Sequence, residues 1–357
     1  MIDQEKITAD WIGKVSKANR NANKILIEKV IRALLLLEGL VKQELSFVFK
    51  GGTALMLHLN STKRLSIDID IIMSEKNDNL DELLDKVVTD QGFIRKELQK
   101  RNAQSRIDKA HYKFFYTPIH KSGKEEEFVL LDILFEEILY QNVIKIDIKS
   151  SFVPELSEPV KANVPCLEDI TGDKLTAFAP NTTGIPYFKN YDSMSMEIIK
   201  QLYDIGNIID NVSDIEIIKS TFKKIASTEL NYREKDTLSD KDVLEDIFQT
   251  ALCIATRGAD GKGDFSQLQQ EIQRITRFIF SESYYLEKAI THASKAAYLA
   301  TLIKYYATAT EKYNSPIQIK DWNINQPINT KLNKLKKSNP EVFFYWYKIY
   351  EFYQNPK

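Results

Sequence analysis

The chain has 357 residues, which is enough for two packed domains or one elaborated domain. Lys and Arg number 49 and Asp and Glu number 50, so the net charge gives no general attraction to nucleic acid or to a membrane surface. The polar start (MIDQEKITADWIGK) and the short apolar run Ala33–Leu37 predict neither a secretory signal nor a membrane span, and we expect a cytoplasmic protein.

The first half of the chain has an α+β pattern, because helical and strand periodicities follow each other closely. Arg64–Met73 (RLSIDIDIIM) alternates strictly between polar and apolar residues, which is typical of a strand with one buried face. In chain order we predict a helix over 21–45, a strand over Ser46–Phe49, a helix over Ala54–Leu59, the strand Arg64–Met73, a helix over Asp81–Thr89, a hairpin of His111–Tyr116 with Glu127–Phe135, and a strand over Val143–Ile148.

The second half of the chain is predominantly helical in pattern. We predict helices over Leu167–Ala179 and Met194–Ile209, separated by the loop Asn181–Asn190, which is rich in Gly, Pro and Thr. Helical periodicity continues from Asp214, with breaks at RGADGKGD (257–264) and near two prolines. We therefore expect an α+β fold, with a small mixed sheet and packed helices in a first domain (1–212) and a helical C-terminal domain (213–357).

Two aspartates, Asp68 and Asp70, alternate with isoleucines in the predicted strand Arg64–Met73. Successive strand residues face opposite sides, so both carboxylates are expected on one face, roughly 6–7 Å apart. Carboxylates this close repel each other unless a cation lies between them, and magnesium suits such oxygen ligands. The pair alone is also compatible with an exposed polar strand face.

The turn that precedes this strand favours the metal interpretation. Gly51 and Gly52 stand between a predicted strand and a helix start, where glycine permits close backbone approach. Free N–H groups near Thr53, at the helix start, can bind phosphate oxygens. A plain strand-to-helix turn is the alternative, but the combination of Gly-Gly-Thr with the two aspartates matches a site for a metal and a triphosphate.

A third carboxylate is expected on a neighbouring strand. Asp132 lies in the apolar run FVLLDILF, where an aspartate is costly unless it is paired or binds a metal. Asp147 is the rival, but its strand alternates with lysines and predicts a solvated face. We therefore expect Asp132 to be the third ligand or the general base.

These motifs resemble those of the AbiEii/AbiGii family of nucleotidyltransferase toxins, within the polymerase-β-type nucleotidyltransferase superfamily. The resemblance covers roughly residues 45–210. It consists of FKGGTAL, R-x-S-x-D-I-D, VLLDILFEE, DKLTA (173–177), APNTTGIPY and KQLYDI (200–205). The resemblance implies a polymerase-β-like core and transfer of a nucleoside monophosphate from an NTP. It also implies a toxin of a type IV toxin–antitoxin or abortive-infection pair.

The resemblance implies a role for each matched residue. Gly51, Gly52 and Thr53 would hold phosphates. Asp68, Asp70 and Asp132 would hold magnesium, with two ions expected. Lys174 would contact the triphosphate, and Asp204 would orient Lys174 or the nucleotide.

Arg64, Ser66 and Lys174 leave alternatives open, and Gln201 departs from the family pattern. Arg64 and Ser66 are expected on the aspartate face, where each either contacts a phosphate or is structural. For Lys174, the alternative is an ordinary exposed helix lysine. Several family members carry an acidic residue where this chain has Gln201, whereas Lys200 keeps the basic position before it.

The resemblance also implies an RNA acceptor, such as the tRNA 3′ end, and a winged-helix antitoxin as a partner. Basic residues bind phosphates and aromatic side chains stack on bases, and two segments have this composition. Solvated charges and a packed aromatic core are the alternatives. The four histidines show no metal spacing and are interpreted as core or surface residues. The candidate segments are Arg95–Lys113, with Lys96, Lys100, Arg101, Arg106 and Lys109, and Lys331–Lys337 followed by Phe343–Tyr353.

Two other functions remain open from the sequence. One is nucleotidyl transfer to a protein hydroxyl or to a small molecule such as an aminoglycoside. The other is a nucleotide-binding module that has lost turnover, which the intact set of three aspartates disfavours.

Overall fold

The computed structural model describes residues 1–59, 63–99, 108–120 and 123–355. The chain divides into two compact units. Unit 1 comprises Met1–Cys166 and Thr276–Ser283, and unit 2 comprises Leu167–Ile275 and Tyr284–Lys357. The division into domains 1–212 and 213–357 stays a prediction.

Unit 1 contains a mixed sheet with helices and a separate two-stranded sheet. Its helices are α1 (Ala9–Ala18), α2 (Lys24–Lys42), α3 (Gly51–His58) and α4 (Leu80–Asp90). Its strands are β1 (Val48–Lys50), β2 (Ile69–Met73), β3 (Arg95–Leu98), β4 (Asp108–Tyr116), β5 (Glu127–Phe135), β6 (Val143–Asp147) and β7 (Lys161–Pro165).

The larger sheet has the strand order β1-β2-β5-β4-β3. Strand β2 pairs antiparallel with β1 and parallel with β5, and the remaining neighbours are antiparallel. Strands β6 and β7 pair with each other. The predicted hairpin is confirmed, because β4 and β5 pair along their whole lengths.

Helix α2 packs against β2 and β5 and supplies much of the apolar core of unit 1. Its two buried carboxylates are satisfied by distant backbone groups, as buried charges require. Glu28 accepts hydrogen bonds from the backbone N–H groups of Ile119 and His120. Glu38 accepts one from the N–H of Ile2 and pairs with Lys42. The helix thereby anchors the N-terminus and the end of β4.

Unit 2 is predominantly helical, and its centre is a long helix that is buried over most of its length. Such all-round burial is typical of a helix enclosed by others. Its helices are α5 (Leu167–Ala177), α6 (Ser195–Ile208), α7 (Ile215–Tyr232), α8 (Asp240–Ala255), α9 (Phe265–Arg274), the central α10 (Leu286–Lys304), α11 (Leu335–Ser338) and α12 (Pro340–Gln354). A small hairpin joins β8 (Phe188–Lys189) to β9 (Asp192–Ser193).

The predicted α+β class, with its small mixed sheet and a helical C-terminal part, is confirmed. One predicted element is too long: β2 begins at Ile69, and residues 64–68 are not strand apart from a single bridge between Arg64 and Ile279. Strand β1 turns into α3 after three residues and offers 64–68 no partner. Across the described ranges, every helix is too short or too polar to cross a membrane.

Candidate active site

A glycine turn in unit 1 lies directly against polar side chains. Gly51 has φ +81°, in the left-handed region, and a Cβ there would be 2.2 Å from Oδ2 of Asp70. A Cβ on Gly52 would be 2.6 Å from Oγ of Ser66 and 2.7 Å from the guanidinium of Arg64. The missing side chains are therefore what allows the start of α3 to approach these groups.

Thr53, in the first turn of α3, binds the segment before β2. Its hydroxyl donates a hydrogen bond of 2.8 Å to the backbone carbonyl of Asp68. The shared face for Asp68 and Asp70 was predicted from strand alternation, and this premise is wrong for Asp68, which lies outside β2. The backbone of Asp68 is held by Thr53 instead of by a neighbouring strand.

Four ionisable residues form one row across the larger sheet. The strand registers pair Lys50 with Asp70, Asp70 with Asp132, and Asp132 with His111. Register partners on adjacent strands present their side chains on the same face, with strands about 4.8 Å apart. The sheet therefore places the carboxylates of Asp70 and Asp132 side by side. The ammonium of Lys50 lies 5.8 Å from the ring centre of Tyr140.

Asp132 is less buried than the apolar run FVLLDILF implied. Alternate residues of β5 are buried, and Asp132 lies on the other face with 31% of its side chain exposed. Only one face of β5 is packed into the core, so the Asp132 carboxylate does not carry the full cost of burial that an apolar strand implies. Its rival Asp147 is 47% exposed, belongs to the two-stranded sheet, and lies 3.7 Å from Nζ of Lys161.

His111, which sequence interpretation treated as an ordinary core or surface residue, contacts Asp132. Its Nδ1 lies 2.6 Å from Oδ1 of Asp132. No spacing in the sequence indicates this contact, because it depends on the register between β4 and β5.

The carboxylate oxygens of Asp70 and Asp132 in this row suit magnesium. Carboxylate oxygens are hard ligands, and the turn at Gly51 leaves room beside Asp70 that a side chain would fill. Within the described ranges, no three His, Cys, Asp or Glu side chains are grouped to hold a metal ion by themselves. Asp70 and Asp132 thus offer two ligands, and magnesium accepts water and phosphate oxygens at its other positions.

Unit 2 contains a buried ion pair formed by two residues singled out in the sequence. Lys174 on α5 is 6% exposed, and its Nζ lies 2.7 Å from Oδ2 of Asp204 on α6. The Nζ also donates to Oε1 of Gln201 at 3.2 Å. The alternative of an exposed helix lysine is therefore wrong. Gln201 and Asp204, three residues apart on one helix face, hold Lys174 together.

The loop APNTTGIPY is clamped by a residue that the sequence did not single out. Asp246 on α8 accepts hydrogen bonds from the N–H groups of Asn181 and Thr182, at 2.8 and 2.9 Å, and from both side chains. The ammonium of Lys235 donates to the carbonyls of the same two residues. This aspartate lies more than sixty positions away in sequence, so no local pattern could indicate it.

His292, on α10, is buried beside α6. The ring contacts Tyr203 and Tyr284, and a Cβ on Gly206 would be 2.0 Å from its Cγ. Burial, together with the positive charges of Lys295 and Lys288, lowers the pKa of His292 to about 3. The ring is therefore neutral at physiological pH and is part of the packing behind α6.

The first candidate RNA segment, Arg95–Lys113, is only partly described. Arg95 stacks on Phe115 and pairs with Glu126, and Lys96 pairs with Asp81 and Asp85. These basic charges are thus balanced by acidic neighbours. Lys100, Arg101 and Arg106 lie outside the described residues.

In the second segment, the packed-core alternative is confirmed for the first part of the aromatic run, Phe343–Trp346. Phe343, Phe344 and Trp346 are fully buried in α12. The lysines before them are placed differently, since Lys331, Lys334 and Lys337 are exposed.

Comparison with known proteins gives the family. The sequence profile of the family described as "Nucleotidyl transferase AbiEii toxin, Type IV TA system" matches residues 35–274. Because the match spans more than half of the chain, the protein belongs to this family of nucleotidyltransferase toxins. Membership implies an NTP as substrate and an antitoxin as the second component of the system. No curated protein matches the sequence.

Two solved structures are similar to the chain. JHP933 from Helicobacter pylori is 16% identical, with 77% of this chain and 89% of that chain covered, at a TM-score of 0.41. MenT4, a nucleotidyltransferase toxin from Mycobacterium tuberculosis H37Rv, is 12% identical, with 84% and 94% covered, at a TM-score of 0.47.

Proposed function

We propose that the protein transfers a nucleoside monophosphate from an NTP onto the 3′ end of an RNA, such as tRNA, and thereby acts as a toxin restrained by a winged-helix antitoxin. The observation that carries the catalytic part is the register that makes Asp70 and Asp132 neighbours on one sheet face beside the glycine turn. Family membership supports the nucleotidyl transfer.

The residues of unit 1 divide the task. Asp70 and Asp132, with Asp68 next to β2, would hold two magnesium ions. When bound, these ions neutralise charge on the triphosphate and on the attacking and leaving oxygens. The free N–H groups at Gly51, Gly52 and Thr53 bind phosphate oxygens, as helix starts do. The adjacent groups Arg64 and Ser66 add a positive charge and a hydroxyl donor.

The reaction is a displacement at the α-phosphorus. The acceptor hydroxyl oxygen forms the new bond to phosphorus, the bond to the bridging oxygen of the β-phosphate breaks, and pyrophosphate leaves. The carboxylate of Asp132 accepts the proton of the attacking hydroxyl, since 31% of its side chain is exposed and it can be reached from solvent.

Lys174 is proposed to bind phosphate oxygens of the NTP. A buried ammonium held by Asp204 and Gln201 has a fixed position, which is what a phosphate contact requires. Asp204 would act by orienting Lys174. The proposal predicts that removal of the ammonium weakens NTP binding.

An RNA acceptor is supported by the exposed lysines of the segment Lys331–Lys337, since lysine contacts with phosphates supply sequence-independent affinity. Transfer to a protein or a small molecule, and binding without turnover, are the competing outcomes of the test below.

The test incubates the protein with Mg²⁺ and each labelled NTP in turn, with total tRNA, protein or aminoglycoside as acceptor. We expect label on RNA 3′ ends, identified by sequencing the ends. Asp70→Asn and Asp132→Asn should abolish labelling, while Asp147→Asn, a matched change on the exposed strand β6, should not. Label on protein or drug would overturn the RNA acceptor, and wild-type labelling by Asp132→Asn would overturn the site.

A further inference from the structure

We propose that His111 is the positioning residue for Asp132: its imidazole Nδ1–H donates to Oδ1 and fixes the carboxylate so that Oδ2 is presented to its ligand. The inference rests on the proposed function, because it concerns how the carboxylate of Asp132 is oriented toward the metal and the acceptor. It assigns a role to a histidine that no sequence motif indicates.

The contact is close and specific. Nδ1 and Oδ1 are 2.6 Å apart, and His111 is the one hydrogen-bond partner that Asp132 has among the described residues. A carboxylate only accepts hydrogen bonds, so the proton of this bond belongs to Nδ1. The imidazole is the more buried partner, with 13% of its side chain exposed against 31% for the carboxylate.

The sheet fixes the position of the imidazole. His111 lies directly opposite Asp132 in the register of β4 and β5. On the other side, its carbonyl accepts a hydrogen bond of 2.7 Å from the N–H of Gln99, next to β3. The backbone of His111 is thus held from both neighbours, and sites built on such elements are held more rigidly than sites on loops.

An aspartate carboxylate needs such a partner, because its terminal torsion is broad and allows the two oxygens to rotate. The bond to His111 occupies Oδ1 and leaves Oδ2 for a metal or for the proton of the acceptor. Residues that orient ligating groups in this way typically contribute about 10- to 100-fold to metal affinity or activity.

The test compares three variants. His111→Leu removes the donor, His111→Asn keeps an amide donor near the position of Nδ1, and His120→Leu is the control, the same change at a histidine beyond the end of β4. For each variant we would measure the Mn²⁺ dissociation constant, from the spin resonance signal of free Mn²⁺, together with kcat, KM and the melting temperature.

We expect His111→Leu to weaken Mn²⁺ binding and to lower kcat about ten-fold or more. His111→Asn should recover a large part of both, and His120→Leu should match the wild type. Mn²⁺ binding unchanged in His111→Leu, or an Asn variant no better than the Leu variant, would overturn the inference. A different result would overturn the proposed function itself: Asp132→Asn binding Mn²⁺ and transferring nucleotide like the wild type.

Discussion

Substituting Gly51 by alanine tests whether the active site needs the space that the glycine leaves beside the carboxylate of Asp70. The new Cβ would lie 2.2 Å from Oδ2 of Asp70, so this oxygen must retreat by about 1 Å to reach an ordinary contact. The backbone adds strain, because φ is +81° and alanine in the left-handed region costs about 1–2 kcal/mol.

A second glycine separates these two effects. Gly123 also has φ +81°, but a Cβ there would meet no atom within 4 Å. Gly123→Ala should therefore suffer only the backbone strain, which lowers the unfolding free energy by about 1–2 kcal/mol, and should keep full transferase activity. Gly51→Ala should lose at least as much stability. Its rate should fall about a hundredfold, since a misplacement of about 1 Å at reacting groups costs that much.

Urea unfolding gives the stabilities, and transfer of labelled NMP to the acceptor identified for the wild type gives the rates. If Gly51→Ala loses the same stability as Gly123→Ala and transfers nucleotide at the wild-type rate, displacing the Asp70 carboxylate affects neither the fold nor the reaction. The assignment of Asp70 to the site would then be refuted.

Three further outcomes are expected. Lys174→Ala should lose about 3 kcal/mol of unfolding free energy, because it removes the ammonium that pairs with the buried carboxylate of Asp204, and Asp204→Asn added to it should restore part of the loss in urea unfolding. Asp246→Ala should lose about 2 kcal/mol or more by leaving the loop donors at 181–182 unpaired, and its melting temperature checks this. In the folded protein the pKa of His292 is lowered to about 3. Between about pH 3 and about pH 6.5 the unfolded chain therefore binds one more proton than the folded protein. Stability should thus fall on acidification below about pH 6.5, by up to about 1.4 kcal/mol per pH unit from this group, and His292→Asn should remove that part of the slope in urea titrations. A slope unchanged by this substitution would contradict the neutral buried ring.

Local periodicity was sufficient to predict most elements of the fold. The alternation of RLSIDIDIIM and the helical spacing over 21–45 correspond to β2 and α2, because each pattern follows from which face of one element is buried. The strand was predicted five residues too long, since alternation continues where no neighbouring strand is present to pair. The sequence also singled out Asp70, Asp132, Lys174 and Asp204, through motifs that stand close together or match a family.

Only the tertiary structure decided which of these residues meet. The parallel register that pairs Asp70 with Asp132 joins strands that lie far apart in the sequence, and no local pattern specifies a register across such a distance. The sequence predicted the hairpin of β4 and β5 but not the register that brings His111 to Asp132. The pairing of Lys174 with Asp204 likewise depends on two helices packing face to face, and burial makes that pairing necessary, because an ammonium out of contact with water needs a countercharge.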